Sequence, residues 1–186
     1  MLRRATHPSI DACLQIADAY EIDPAHVAKI VIRTTPRTAG GFVGKPFEIG
    51  EEPQVSGAFS IIYTAAVAVF AKTVRPEYMN REVMESPELQ DLIDKVEIVP
   101  SLAPDEYQTA EADIVLSDGT VYSARCDVPK GDIYRNPMSE AEILDKFYRN
   151  VEFSGVLSRE NADCIVEAVA DIDQMGDIGA LIELLR

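Results

Sequence analysis

The chain has 186 residues and a formal net charge of −15, which comes from 32 acidic and 17 basic residues. A surface this acidic repels phosphate backbones and anionic lipid headgroups, so we expect neither a nucleic acid nor a membrane as a partner. The length suits one domain over residues 1–186 with a sizeable buried core.

The cysteines and the first residues of the chain bear on its compartment. Cys13, Cys126 and Cys164 are odd in number, far apart and outside any CxxC motif. We therefore expect small buried side chains at these positions, with no disulfide framework, zinc site or other metal. The start MLRRATHPSI has no apolar stretch behind its arginines, so we expect no signal peptide and a cytoplasmic protein.

The first predicted elements are a helix and a strand. Pro8 suits the first position of a helix, and apolar residues recur at helical spacing in HPSIDACLQIADAY. KIVIRT alternates Ile30 and Ile32 with polar or charged neighbours, which predicts a strand with one wet face. Residues 35–53 are rich in glycine and proline and predict a long connection, a kind of segment that is often functional.

An uncharged run, AFSIIYTAAVAVFA, follows over residues 58–71. Spanning a bilayer takes roughly 20 apolar residues, so this run predicts a buried helix instead. Ser60, Tyr63 and Thr64 carry its polar side-chain atoms, and their spacing predicts a polar stripe at the edge of a wet pocket. Two roles stay open for Tyr63: a core tyrosine whose hydroxyl finds a carbonyl, or a phenol that donates to a substrate oxygen.

The second half of the sequence interleaves further helices and strands. SPELQDLIDKV predicts a helix capped by Ser86, and VEIVPS predicts a strand. Two alternating runs flank Asp118 and Gly119, the preferred pair for a tight hairpin turn. Ser139 and Glu142 form a capping box, and two more amphipathic helices follow. We therefore predict an α+β fold, with a small, mostly antiparallel sheet and helices packed on one side.

Basic residues at helix starts and in glycine loops are the candidate ligand contacts of so acidic a chain. Arg3 and Arg4 precede the first helix, either as solvated residues or as forked donors that grip a carboxylate. His7 begins that helix, either as a capping or surface residue or as a pocket residue. Lys45 and Lys130 lie in glycine loops, where they either face water or contact a ligand.

Five segments follow one another in a recognisable order: THPSIDA, GKPF, VSGAFSIIYTAAVAV, SDGTVYSARCDVPKGD and NPMSEAEILDKF. Together they resemble the C-terminal domain of the MmgE/PrpD family, the 2-methylcitrate dehydratase-like enzymes. The resemblance implies that Tyr63 matches an active-site tyrosine and that Arg3 lies at or near a substrate-contacting position. It also implies that His7 matches the family's Thr-His pair. The implied chemistry is proton transfer next to a carboxylate of a small polycarboxylate, with no cofactor.

The resemblance also indicates what this sequence lacks. Family members begin with a mostly helical domain and carry a catalytic lysine in a Lys-x-Tyr-Pro segment, neither of which is in this sequence. We therefore expect the C-terminal domain of a dehydratase-like lyase, inactive alone, that works with a helical domain on the same or a separate chain and forms a homo-oligomer. The alternatives are cis-aconitate decarboxylase-like or epimerase activity, or a non-catalytic association module.

Overall fold

The computed structural model describes residues 3–185 of the chain. The chain divides into two compact units, Met1–Pro137 and Met138–Arg186. The expectation of one domain over residues 1–186 stays a prediction, because the compactness of a unit does not show whether it folds alone.

The first unit holds the sheet and the larger core. Its elements are α1 (His7–Ala19), β1 (Val27–Thr34), α2 (Pro36–Ala39), α3 (Pro53–Ala58), α4 (Ile61–Ala71), α5 (Arg81–Met84), α6 (Pro87–Asp94), β2 (Val96–Pro100), β3 (Ala110–Leu116) and β4 (Val121–Cys126). Short 3₁₀ helices span Arg4–Thr6, Pro24–His26, Phe42–Gly44 and Pro76–Tyr78.

The second unit is helical. It contains α7 (Glu140–Ser154), α8 (Arg159–Ala170), a 3₁₀ helix at Ile172–Gln174 and α9 (Gly179–Glu183). The predicted capping box is present at the start of α7: the Ser139 hydroxyl accepts the Glu142 N–H, and the Glu142 carboxylate accepts the Ser139 N–H. Ala162 and Ile165 are the buried residues of α8, so the inner face of this unit is narrow.

The four strands form one sheet in the order β2-β1-β3-β4. β1 runs parallel to β2 and antiparallel to β3, and β3 forms the predicted hairpin with β4. Gly119 in the hairpin turn has a φ of 87°, a left-handed conformation that glycine adopts without steric cost. The predicted α+β fold with a small, mostly antiparallel sheet is confirmed.

One face of the sheet packs against helices, as predicted. Ile30 and Ile32 of β1 and Ile114 of β3 are fully buried in one cluster with Ile16 of α1 and Val67 of α4. Successive side chains of a strand point to opposite faces, so the intervening residues lie on the other side. That side carries the ion pairs Lys29–Glu97, Arg33–Asp113 and Arg125–Glu111.

The predicted connection at residues 35–53 contains more structure than expected, which corrects the sequence interpretation. It holds α2 and the 3₁₀ helix Phe42–Gly44. The Thr35 hydroxyl accepts the N–H of Thr38, which satisfies a donor at the start of α2 that the helix itself leaves without a partner.

The helix predicted over residues 58–71 begins later, at Ile61, and this is a second correction. α3 ends at Ala58, and the chain breaks at Phe59 before α4. Ser60 is the N-cap of α4, with an extended backbone and a hydroxyl that accepts the N–H of Tyr63. The serine that was assigned to a polar stripe therefore serves as a helix cap.

The remaining expectations concern a membrane span, the cysteines and a metal site. No helix in the described part of the chain is long and apolar enough to cross a membrane. Cys13 and Cys126 are buried as expected, whereas Cys164 is exposed, because it lies on the solvent side of α8. Residues 3–185 contain no group of three or more histidine, cysteine or acidic side chains that could hold a metal ion.

Candidate active site

The first unit contains two adjoining cavities of about 530 and 540 Å³, which we name the arginine groove. Arg3, Ala5, Phe59 and Tyr107 line both cavities. The first cavity adds Arg4, Pro8, Gln108 and Pro129, and the second adds Arg37, Thr38, Gly41, Phe42 and Val43. The groove therefore combines guanidinium groups with aromatic rings.

Main-chain contacts between distant segments build the wall of the groove. The Arg3 N–H donates to the carbonyl of Ala58, at the end of α3, over 3.0 Å. This bond sets the residues before α1 beside Phe59, and the Arg3 guanidinium carbon lies 5.8 Å from the centroid of the Phe59 ring. The Thr6 hydroxyl donates to the Arg3 carbonyl over 2.8 Å and closes the turn.

The arginines of the groove differ in their acid partners. The Arg4 guanidinium lies 3.2 Å from a carboxylate oxygen of Asp132, with Arg4 71% exposed and Asp132 only 8% exposed. No carboxylate forms an ion pair with Arg3 or Arg37 within the described residues. In a chain with 32 acidic residues, two guanidinium groups without such a partner share one cavity.

Asp132 organises the loop beside the groove. Backbone N–H groups of Arg135 and Tyr134 donate to its carboxylate and hold its pKa below the ordinary value, with a smaller contribution from the charge of Arg4. The carboxylate therefore stays ionised beside Arg4, and Gln108 also lies at hydrogen-bonding distance from it.

Aromatic rings form the apolar side of the groove. Phe42 and Phe59 meet edge to face, with centroids 5.9 Å apart. Phe42 and Tyr107 are largely exposed, at 67% and 66% of their surface. The Lys45 ammonium lies 5.9 Å from the Phe42 ring centroid, so this predicted loop contact stands beside the groove without lining it.

His7 and Lys130 also stand beside the groove, next to residues that line it. The Lys130 N–H donates to the Asp11 carboxylate over 2.6 Å, which ties its loop to α1. Burial raises the pKa of Asp11, while the Lys130 N–H and the charges of His7 and Lys130 oppose that shift. Asp11 is thus part of a second charged cluster, which the sequence did not reveal.

A model of the MmgE/PrpD C-terminal domain matches residues 2–174. The chain belongs to this family. A comparison with curated proteins found no match. The family assignment confirms the resemblance and its restriction to the C-terminal domain of these enzymes.

Tyr63 of this MmgE/PrpD domain lies in the core. Its side chain is fully buried, its ring stacks on Phe47 at 4.8 Å between centroids, and its hydroxyl donates to the main-chain carbonyl of Tyr78. Burial raises the pKa of the phenol well above its ordinary value. In this arrangement, the hydroxyl already has a partner and is away from both cavities.

The predicted polar stripe has an internal explanation, which corrects the expectation of a wet pocket edge. The Thr64 hydroxyl donates to the Ser60 carbonyl over 2.7 Å, and Ser60 itself caps α4. The Tyr63 ring nevertheless lies close to Gly57, two residues before Phe59 of the groove. A Cβ atom placed on Gly57 would lie 2.8 Å from the Tyr63 ring, and Gly57 belongs to the segment that leads into Phe59.

The residues that line the arginine groove are suited to binding an anion more than to removing a proton. Among the described residues, those that line the two cavities include no carboxylate, imidazole or thiol. A guanidinium is protonated at any working pH and offers donors in a fork that fits a carboxylate. The groove can therefore hold and orient an anion, whereas a general base must come from elsewhere.

The sequence pointed to Arg3 and Arg4 but not to the other lining residues, of which Arg37, Phe59 and Tyr107 bear most on binding. Arg37 sits in a segment read as a loop, Phe59 was assigned to the interior of a helix, and Tyr107 carried no local motif. A guanidinium without an acid partner has no signature in the sequence, because its partners come from distant parts of the chain. The break between α3 and α4 was the one available signal for Phe59, through the N-cap preference of Ser60.

Proposed function

We propose that this chain is the carboxylate-binding part of a lyase that acts on small polycarboxylates, with the arginine groove as its anion site. The supporting observation is that Arg3 lines both cavities and has no acid partner among residues 3–185, in a chain of net charge −15. A bidentate pair between a guanidinium and a carboxylate is among the stronger hydrogen-bonded contacts in proteins. A substrate carboxylate would supply the partner that Arg3 lacks.

The proposed reaction is a 2-methylcitrate dehydratase-like elimination. A base removes the proton on the carbon next to a carboxylate, the electrons of the C–H bond form a carbon–carbon double bond, and the hydroxyl on the neighbouring carbon departs as water after protonation. Because the groove offers no base, we assign that step to the family's helical domain, on the same or a separate chain. Decarboxylase-like and epimerase activities remain the alternatives within the family.

The predicted roles of the other residues carry over as parts of this proposal. Arg4 contacts the substrate only in competition with Asp132, and His7, Lys45 and Lys130 stay predicted contacts beside the groove. The catalytic role of Tyr63 also stays a prediction. It requires the hydroxyl to exchange the carbonyl of Tyr78 for a substrate oxygen.

A test in heavy water separates binding from chemistry. The chain, alone and together with a family helical domain, is incubated with 2-methylcitrate, citrate and cis-aconitate in D₂O. NMR spectroscopy follows product formation and deuterium incorporation next to the carboxylates. We expect no reaction with the chain alone, and turnover of at least one acid once the helical domain is present.

Matched arginine variants connect that activity to the groove. Arg3→Gln is expected to raise KM by about tenfold to a hundredfold, the range for a lost charge-assisted contact of roughly 1.5–3 kcal/mol. Arg75→Gln is the control, because Arg75 is an exposed arginine outside both cavities. If the assembled enzyme leaves all three acids unchanged, or if Arg3→Gln behaves like the control, the proposal fails.

A second candidate function is association through the helical unit. The apolar helix α4 is buried in the first unit. The smaller second unit has exposed large apolar residues at Ile143, Phe153, Val156, Val169, Ile172, Ile178, Ile182 and Leu185. Light scattering over a dilution series tests this: a concentration-dependent mass supports association, and a monomer at every concentration rejects it.

A further inference from the structure

We propose that Arg37 binds a second carboxylate of the substrate held by Arg3, so that this pair, and not Arg3 with Arg4, selects dicarboxylic over monocarboxylic acids. The inference rests on the proposed function and refines it. Arg3 and Arg37 line the same cavity of about 540 Å³, and neither forms an ion pair within residues 3–185. Arg4, by contrast, is already matched by the carboxylate of Asp132.

The contrast with the other arginines makes the absence of a partner informative. Arg33, Arg81 and Arg125 each lie within hydrogen-bond distance of at least one carboxylate. Exposed Arg75 also has no ion pair among the described residues but lies outside both cavities, so the lack of a partner matters for the two groove arginines because they line one cavity. Two guanidinium groups left without one at a single cavity produce a local positive field, which attracts a dianion more strongly than a monoanion.

The backbone beneath Arg37 is held in place. Thr35 is fully buried, and its hydroxyl accepts the Thr38 N–H and donates to the Thr38 hydroxyl over 3.0 Å. After α2, Gly41 passes so close to the Arg37 carbonyl that an added Cβ would lie 2.9 Å from its oxygen. A short element fixed at both ends limits where the guanidinium can reach.

The wall of the same cavity suits the carbon skeleton of a small acid. Phe42, Phe59 and Tyr107 line it together with the two arginines. An aliphatic chain with a carboxylate at each end can place its anionic groups on Arg3 and Arg37 and its methylene groups against the rings. A monocarboxylate can satisfy only one of the two guanidinium groups.

Binding by the chain itself tests this inference without any turnover. Calorimetric titrations at fixed ionic strength use glutarate, butyrate and inorganic phosphate as probes, with wild type, Arg37→Gln, Arg3→Gln and the control Arg75→Gln. We expect the wild type to bind glutarate about tenfold more tightly than butyrate, a gain typical of one added charge-assisted contact. Arg37→Gln should remove that preference and leave butyrate binding unchanged, whereas Arg3→Gln should weaken both acids.

The outcomes distinguish this inference from the proposed function. If Arg3→Gln weakens glutarate but Arg37→Gln does not, the second subsite is rejected while the groove remains the carboxylate site. If neither variant differs from Arg75→Gln, both proposals fail together. Phosphate that binds as tightly as glutarate, with the same loss in Arg37→Gln, would replace the dicarboxylate assignment by a general anion site. Arg37 is exposed, and thermal unfolding of the variant confirms that any loss is not misfolding.

Discussion

The start of α4 and the arginine groove differ in whether their polar side chains have partners within the protein. At the start of α4, the hydroxyls of Ser60, Tyr63 and Thr64 all have partners within the protein. In the groove, Arg3 and Arg37 have no acid partner among the described residues. A polar residue inside an apolar stretch thus stands out in the sequence, although its side chain has a hydrogen-bond partner in the fold. The arginines without an acid partner cannot be recognised from the sequence, because only the fold shows which groups surround them.

Tyr63→Phe has the largest expected effect and would break this comparison. If the phenol takes part in proton transfer, turnover of the assembled enzyme should fall by roughly 10²–10⁴-fold, the usual contribution of a positioned acid. Loss of the bond to the Tyr78 carbonyl should also cost about 1 kcal/mol in the free energy of unfolding. Steady-state kinetics and urea unfolding measure the two quantities, with exposed Tyr134→Phe as the control.

A purely structural Tyr63 gives the opposite pattern. Stability would fall and turnover would stay within the range of the control. That pattern would remove Tyr63 from the mechanism. The contrast between core hydroxyls that have hydrogen-bond partners and groove arginines that have no acid partner among the described residues would remain.

Gly57→Ala sharpens the comparison by disturbing both regions at once. The new Cβ would lie 2.6 Å from the Met84 methyl carbon and 2.8 Å from the Tyr63 ring, so these buried side chains must shift to accommodate it. Overpacking of this kind costs about 1–3 kcal/mol, and the strain should also displace the wall at Phe59 and weaken carboxylate binding. Chemical unfolding and glutarate titration provide the readouts.

Gly176→Ala is the matched control for that substitution, because no heavy atom lies within 4 Å of its added Cβ. Equal stability of the two variants would show that the packing around Gly57 is looser than the structure indicates.

Asp113→Asn has the smallest expected effect and measures how much an arginine that is paired with a carboxylate contributes to the free energy of unfolding. Arg33 donates to the Asp113 carboxylate over 2.5 Å, and this bond is the main reason that the pKa of Asp113 lies below its ordinary value of 3.8. The stabilisation is therefore present above that value and is lost as the pH falls through the lowered pKa of the folded state. We expect Asn to cost about 1–2 kcal/mol at neutral pH, given one partly exposed charged hydrogen bond.

Urea unfolding at neutral and acidic pH checks this prediction. The variant should lose less stability on acidification than the wild type, and its glutarate affinity should be unchanged, because Arg33 is outside the groove. Asp91→Asn, which breaks an exposed pair with Lys95, is the control. A stability profile that responds to acid like the wild type would reject the assignment to Asp113.

The fold was largely readable from local patterns. Alternation in KIVIRT, the Asp118–Gly119 turn and the capping box at Ser139 each depend on neighbours within a few residues, and each predicted element is present. The break before α4 was missed because AFSIIYTAAVAVFA is uncharged throughout and contains no glycine or proline to indicate a helix end. The parallel pairing of β1 with β2 likewise depends on a long crossover that no local pattern specifies.

The candidate site was readable only in part. Arg3 and Arg4 emerged from their position before α1 and from a family resemblance, whereas Arg37 and Tyr107 reach the groove through tertiary structure alone. Whether a charge is matched depends on every side chain nearby, and those neighbours are distant in sequence. Local reasoning therefore finds caps and strands more readily than unmatched charges.

The bond between the Arg3 N–H and the Ala58 carbonyl has a consequence for how this site can diversify. Because main-chain atoms join the two segments of the wall, the geometry of the opening is largely independent of which side chains project from it. Relatives could exchange the arginines or rings for other groups and acquire new preferences while keeping the same scaffold. The ligand preference of this domain can thus change in evolution while its fold stays the same.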